Sequence, residues 1–136
     1  KEREKGVLRY HRTFEPLIED RPEFSLDISR KVVFGYTITY GCIQLAAYLG
    51  LKEIYLLGVD FNYNSSNSNS QNHFVKNYLS KTEVKSKNMN GFFQKESLLA
   101  YEAAEEASRQ NGFRIYNATR GGKLEVFERV NFDKLF

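Results

Sequence analysis

The chain has 136 residues, of which 41% are hydrophobic and 15% aromatic, so it is large enough to fold as one domain around a hydrophobic core. Its formal charge of +3, with Lys and Glu interspersed, falls short of the basic surface typical of nucleic-acid-binding proteins. The single cysteine, Cys42, excludes a disulfide framework and a thiolate metal site, and its apolar neighbours predict that it is buried. The charged start, Lys1 to Lys5, is typical of a position inside a longer protein, so we expect the chain to be part of one.

The first half of the chain predicts a helix and a strand after an irregular, charged lead-in over residues 1–23. Residues Phe24–Ile28 alternate between apolar and polar, which predicts a short strand. Residues 36–49 are apolar on nearly every face and are followed by Gly50, a pattern that predicts a helix buried on all sides. The continuous apolar run 54–59 is typical of a strand buried on both faces of a parallel sheet.

The second half opens with a polar segment over residues 61–93, which we predict to be a long loop or lid because loops of this length are usually functional or disordered. An amphipathic helix is predicted over Gln94–Asn111 and a strand over Phe113–Tyr116. A Gly-rich turn at 117–122 follows, and short helical or irregular packing segments complete the chain to Phe136. The order helix, strand, loop, helix, strand predicts an α/β fold with a parallel sheet flanked by helices.

Asp60 is the first candidate for chemistry because it ends the predicted buried strand. In open parallel sheets, ligands bind beyond the carboxyl ends of the strands. The carboxylate can bind a ribose or sugar hydroxyl, hold a metal or act as a base, but an Asp at this place also forms turns. The Gly-rich stretch 117–123, with Arg120 and Lys123, has the same two interpretations: a cradle for a phosphate, or a plain turn.

Hydroxyl and imidazole groups supply the remaining candidates. His73, in the polar loop, can accept a proton from an attacking hydroxyl, or it is a solvated bystander. Tyr63 and Tyr78 flank it and can stabilise charge on a leaving phosphate, or they are packing residues. Thr37 and Thr39 begin the first predicted helix, where hydroxyls and backbone N–H groups form an anion site or a helix cap.

These residues also resemble a known family. The segment Leu49–Phe61 (LGLKEIYLLGVDF) resembles one found in bacterial lipooligosaccharide sialyltransferases and in a broader group. That group includes archaeal hydroxymethylpterin diphosphokinases and many proteins encoded with surface-polysaccharide genes. Asn72–Phe74 and Tyr116–Phe127 look closest to the broader group. The resemblance extends over residues 24–136, and the strand ending in Asp60 is its most specific part.

The resemblance implies a Rossmann-like glycosyltransferase domain, here the C-terminal portion of a larger one, that transfers a sugar from a CMP-activated donor in surface-glycan biosynthesis. It implies metal-free catalysis with no cofactor, His73 as the base and Tyr63 on the leaving phosphate. The residues assigned to the donor are Thr37, Thr39, Asp60 and Asn62. The base of the sialyltransferases aligns with Asn77, so either His73 has taken that role or the protein is not a sialyltransferase of that type.

The expected partners are a nucleotide-sugar donor and a glycan acceptor, without nucleic acid. The expected location is the cytoplasm, with peripheral association at the inner face of the membrane and homo-oligomer formation left open. Two other functions remain open: a diphosphokinase relative using ATP and Mg²⁺, with Asp60 as a ligand, and a non-catalytic binding module that keeps the fold.

Overall fold

The computed structural model of the chain describes residues 12–13, 21–62 and 89–136. In chain order, its elements are β1 (Arg12–Thr13), β2 (Val32–Val33), α1 (Ile38–Tyr48), β3 (Glu53–Leu56), α2 (Met89–Asn111), β4 (Arg114–Asn117), β5 (Glu128–Arg129) and a 3₁₀ turn (Phe132–Lys134). Neither described helix is long and apolar enough to cross a membrane.

The strands pair in parallel throughout the described residues. β3, β4 and β5 form a sheet in the order β3-β4-β5, with Ile54 opposite Ile115 and Tyr55 opposite Tyr116, while β1 pairs with β2. Parallel neighbours need a crossover connection, and α2 lies in the one that joins β3 to β4. The predicted α/β class with a parallel sheet is therefore confirmed.

The core lies between one face of this sheet and the two helices. On α2 the buried residues Ser97, Ala100, Tyr101 and Ala104 recur every three or four positions, as the predicted amphipathic pattern requires. The Tyr101 ring contacts Phe61 and Phe127 edge to face, with centroids 6.0 Å and 5.7 Å away. The predicted helix and the strand after it are confirmed, although α2 begins at Met89 rather than at Gln94.

Two local predictions are wrong. The segment Phe24–Ile28 is irregular rather than a strand, and the Ser25 main-chain N–H donates to the Gln44 side chain rather than to a neighbouring strand. The extended pairing occurs later, at β2. In the tail, β5 forms where only helical or irregular structure was predicted, because Glu128 and Arg129 pair with the strand β4.

The predicted burial of α1 and β3 is also wrong. Within the described residues, β3 pairs with β4 along one edge and with no strand along the other. One face of β3 carries Glu53 and Tyr55, and Tyr55 is 39% exposed and stacks on Tyr116. The Tyr55 hydroxyl donates to Glu53 at 3.2 Å. On α1 the residues in the core lie on one face, and Cys42, predicted to be buried, is exposed on the other.

A buried glutamine fixes α1 to β2. The Gln44 side chain accepts from the backbone N–H groups of Val33 (3.1 Å) and Ser25 (3.2 Å), and it donates to the Val33 carbonyl at 2.9 Å. One amide thus takes the place that a neighbouring strand would occupy on this edge of β2. The sequence reasoning missed Gln44, since a single polar residue in an apolar helix does not reveal that its partner is backbone.

Candidate functional site

The carboxyl ends of β3 and β4 are joined into one edge. The backbone N–H of Ala118 donates to the Leu56 carbonyl at 3.0 Å, and the Thr119 hydroxyl oxygen accepts from the N–H of Val59 at 3.0 Å. That hydroxyl also lies 3.4 Å from the Leu56 carbonyl, to which it donates. The loops that follow the two strands are therefore held together by Thr119, which the sequence reasoning included in the Gly-rich stretch but did not assign this joining role.

Asp60 lies in the first of these loops and is exposed, while its backbone is in close contact with the turn after β4. Its Oδ1 accepts from the N–H of Asn62 at 3.2 Å, so it forms the Asx turn that the sequence allowed. Its main-chain oxygen accepts from the N–H of Lys123 at 2.6 Å. The next residue, Phe61, is buried with a φ of 53°, a left-handed conformation rare for an aromatic residue. The loop thus fixes Asp60 while presenting its carboxylate to solvent.

The Gly-rich turn after β4 supports the backbone of Asp60. Gly122 has a φ of 84°, and a Cβ there would lie 2.5 Å from the Asp60 main-chain oxygen, so only glycine allows this approach. The carbonyls of Gly121 and Gly122 accept from Arg129 at 2.8 Å and 3.1 Å. Because carbonyls rather than N–H groups converge here, the geometry matches the plain turn and not a phosphate cradle. Sequence reasoning missed Arg129, whose partners come from the preceding loop.

Thr37 and Thr39 begin α1, and their main role in the structure is capping. Thr37 is the N-cap, and its hydroxyl accepts from the N–H of Thr39 at 3.3 Å. The same hydroxyl lies 3.4 Å from the Tyr101 hydroxyl, and the Tyr101 ring contacts Phe61. The start of α1 and the loop of Asp60 therefore both contact one tyrosine, Tyr101. Neither the periodicity nor the motif identified Tyr101 as this link, since its spacing alone is that of a core residue.

Unusual backbone conformations adjoin both groups of predicted site residues. Tyr36, directly before Thr37, has a φ of 58°, and Phe61, directly after Asp60, has a φ of 53°. A left-handed residue with a side chain costs about 1 to 2 kcal/mol, so tertiary contacts must stabilise both. Gly35 contributes by close packing, since a Cβ there would lie 2.5 Å from the Tyr40 ring. Strain of this kind concentrates at functional sites.

The remaining candidates divide into two groups. Asn62 is exposed, and its backbone N–H donates to Asp60 Oδ1. Tyr63, His73 and Tyr78 lie outside the described residues, as does Asn77. In residues 21–62 and 94–136, no three His, Cys, Asp or Glu side chains are grouped so that they could hold a metal ion.

A cleft of about 1000 Å³ lies at the opposite end of the sheet, where β3 and β4 begin. Its lining includes Glu53, Glu105, Arg109, Arg114 and Glu128, a mixture of both charges. None of the described donor-site candidates lines it. Arg129 also lines the cleft and binds the carbonyls of Gly121 and Gly122, so the cleft reaches the turn that supports Asp60.

No protein-family model matches the chain, and no curated protein or solved structure is detectably similar to it.

Proposed function

We propose that this chain carries the donor-binding part of an inverting, sialyltransferase-like glycosyltransferase that uses a CMP-activated sugar in surface-glycan biosynthesis. In this proposal the sheet β3-β4-β5 belongs to a Rossmann-like domain. The observation that carries it is the position of Asp60: an exposed carboxylate on a rigid loop at the carboxyl edge of parallel strands. That edge is where open α/β sheets bind nucleotides.

Asp60 would bind the ribose of the donor. A carboxylate has two acceptor oxygens, and the Asx turn engages Oδ1 with a main-chain N–H, which orients the group without burying it. The bond from Lys123 and the close approach of Gly122 hold the backbone in place before any ligand arrives. A preorganised acceptor loses little conformational entropy on binding, which favours hydrogen bonds to ribose hydroxyls.

The start of α1 would receive the donor phosphate. Its first turn carries no acidic residue, so no carboxylate there repels an anion, and the helix dipole favours negative charge. Thr37 and Thr39 present hydroxyls at this turn, and Tyr101 brings a phenol to within 3.4 Å of the Thr37 hydroxyl. The shared contact with Tyr101 links this turn to the loop of Asp60.

The proposed chemistry follows the family resemblance. His73 would accept the proton of the glycan hydroxyl while that oxygen attacks the anomeric carbon of the sugar. The bond from that carbon to the phosphate oxygen breaks, and Tyr63 would donate a hydrogen bond to the leaving phosphate. Asn62 would contact the nucleotide beside Asp60. The acceptor is a glycan under assembly at the cytoplasmic face of the membrane.

A thermal-shift panel on the full-length protein tests donor binding, with CMP, CMP-sugar, UDP-sugar and ATP with Mg²⁺ as separate ligands. A ligand at about one hundred times its Kd stabilises the native state by about 2.7 kcal/mol, which is a measurable rise in Tm. We expect that rise with CMP and the CMP-sugar. Stabilisation by ATP and Mg²⁺ alone, lost with chelator, would instead support the diphosphokinase function, and no response to any nucleotide would support a binding module.

Asp60→Asn tests the site itself, and the chain offers a matched control. Asp27 forms an equivalent exposed Asx turn, in which the N–H of Ser29 donates to its Oδ1 at 3.0 Å. Asparagine can keep either turn, so neither variant should unfold the protein. We expect Asp60→Asn to weaken the response to CMP about tenfold or more, as expected for a lost charged hydrogen bond, while Asp27→Asn leaves it unchanged. Equal responses from both variants would remove Asp60 from the donor site.

His73→Ala tests the catalytic part separately. A general base contributes about 10² to 10⁴ in rate, so turnover from the CMP-sugar should fall by that factor while donor affinity is kept. His11→Ala, which removes the chain's other histidine, is the control. If the His73 variant turns over at the normal rate, another group is the base.

A further inference from the structure

Helix α1 has two apolar faces, and the described core covers only one of them. Tyr40 and Ile43 point into the core, while Ile38, Cys42 and Leu45 recur on the opposite side at spacings of four and three residues. Tyr48, the last residue of α1, is exposed too, and Leu49 and Leu51 continue the apolar surface past the end of the helix. We call these six residues the α1 surface: Ile38, Cys42, Leu45, Tyr48, Leu49 and Leu51.

The α1 surface is large enough for a specific protein contact. Five of its side chains are between 37% and 68% exposed. If a large apolar side chain presents on the order of 200 Å² when fully exposed, they offer about 500 Å² on one copy of the chain. Two such surfaces face to face bury about 1,000 Å², which is the lower limit for a biological interface.

The chemistry of α1 favours a second copy of the same chain as the occupant. No residue from Ile38 to Tyr48 is charged, so two copies can bring these helices together without like-charge repulsion, even though each chain carries +3. The order of its residues also allows an antiparallel pairing of two copies. In an antiparallel pair of α1 helices, the small Cys42 faces the partner's Leu45, and Ile38 faces the partner's Leu49.

We propose that the α1 surface is the contact of a two-fold symmetric homodimer, in which α1 of one copy packs antiparallel against α1 of the other. A two-fold axis makes every contact between the two copies occur twice, so the Cys42–Leu45 and Ile38–Leu49 contacts each form two times. The modest area predicts a dimer with a Kd on the order of micromolar, since interfaces near this limit belong to weak or transient complexes.

Sedimentation equilibrium of the full-length protein over a range of concentrations around that value tests the proposal. Leu45→Glu places a charge in the middle of the α1 surface, and Leu45 lies outside the buried core cluster, so the fold should be kept. Leu26→Glu is the matched control: Leu26 is also an exposed leucine, 46% against 37% for Leu45, but lies outside the α1 surface. We expect dimers from the wild type and Leu26→Glu, and monomers with an unchanged far-UV spectrum from Leu45→Glu.

A wild type that stays monomeric throughout would overturn the proposal, and so would dimers of equal strength from all three proteins. Cross-linking of the unmodified protein provides a second measurement that does not depend on the folding of a variant. Because Cys42 lies near the middle of α1, a short bis-maleimide should join two chains through it. Cys42→Ser should abolish the product. Failure to cross-link at concentrations where the dimer is present would exclude this pairing of helices.

Discussion

Replacing Gln44 with methionine should severely destabilise the protein, although it changes one side chain of a helix for another of similar shape. Methionine is unbranched and nearly isosteric with glutamine, so the substitution leaves no large cavity and isolates the loss of hydrogen bonds. Gln44 is fully buried, as is Val33, and Ser25 is nearly so. Water therefore does not replace the lost partner.

The magnitude follows from the groups that Gln44 satisfies. Without its amide, the N–H and carbonyl of Val33 and the N–H of Ser25 lose the bonds that Gln44 makes to them. Each buried backbone group left unsatisfied costs about 1 to 3 kcal/mol, so the free energy of unfolding should fall by at least about 3 kcal/mol. Because domains have a total stability of about 5 to 15 kcal/mol, this loss is a large part of the whole.

Urea unfolding followed by far-UV circular dichroism measures this change, with Gln110→Met as the control. Gln110 is an exposed glutamine on α2 whose amide donates to the Glu106 carboxylate, so its replacement should change stability by less than about 0.5 kcal/mol. If Gln44→Met lowers the free energy of unfolding by less than about 1 kcal/mol, the backbone of β2 does not depend on this amide and the reasoning is refuted.

Three further substitutions test the turn at the Asp60 edge and the core. In urea unfolding, Gly122→Ala should lower the free energy of unfolding by more than Gly121→Ala does. Both glycines have positive φ, but only at Gly122 would a Cβ meet the Asp60 backbone, so equal losses of stability would contradict that contact. Arg129→Lys should lower Tm by losing the planar fork that binds two turn carbonyls, and an unchanged Tm would show the turn stands without it. Burial raises the pKa of Tyr40 above its ordinary value of 10.0, so above that pH the unfolded phenol ionises first and stability falls by up to about 1.4 kcal/mol per pH unit. Urea unfolding at several pH values from 9 to 11 measures how the free energy of unfolding falls with pH, and Tyr40→Phe should make that fall less steep. An equally steep fall in the wild type and in Tyr40→Phe would exclude the effect.

Helix and strand positions followed from local patterns because they depend on neighbours a few residues away. The apolar run before Gly50 predicted α1, and the amphipathic period predicted α2, with the strand β4 after it. Gly50 has a φ of 80°, as expected of a residue that ends a helix. The strand β5 was missed since its two residues are defined by pairing with β4 and by no pattern of their own.

The candidate site was predictable in part for the same reason. Asp60 lies in the loop that follows β3, although that strand ends at Leu56, earlier than the apolar run predicted, and Thr37 caps α1; both positions follow from local patterns. Thr119 and Tyr101 could not be found that way, because each acts by joining segments that are distant in the chain. The structure links the loop of Asp60 and the Thr37 cap through Tyr101, while the roles of His73 and Tyr63 stay predictions.

The amino-acid sequence by itself determined the helices α1 and α2, the strands β3 and β4, and which segments are apolar. Only the tertiary structure decided which apolar faces are covered, because burial requires partners supplied by remote parts of the chain. Gln44 is buried since Val33 and Ser25 reach it, whereas Leu45, one residue further along α1, stays exposed. Two adjacent residues of one apolar helix thus have opposite environments, a difference set by what packs against the helix.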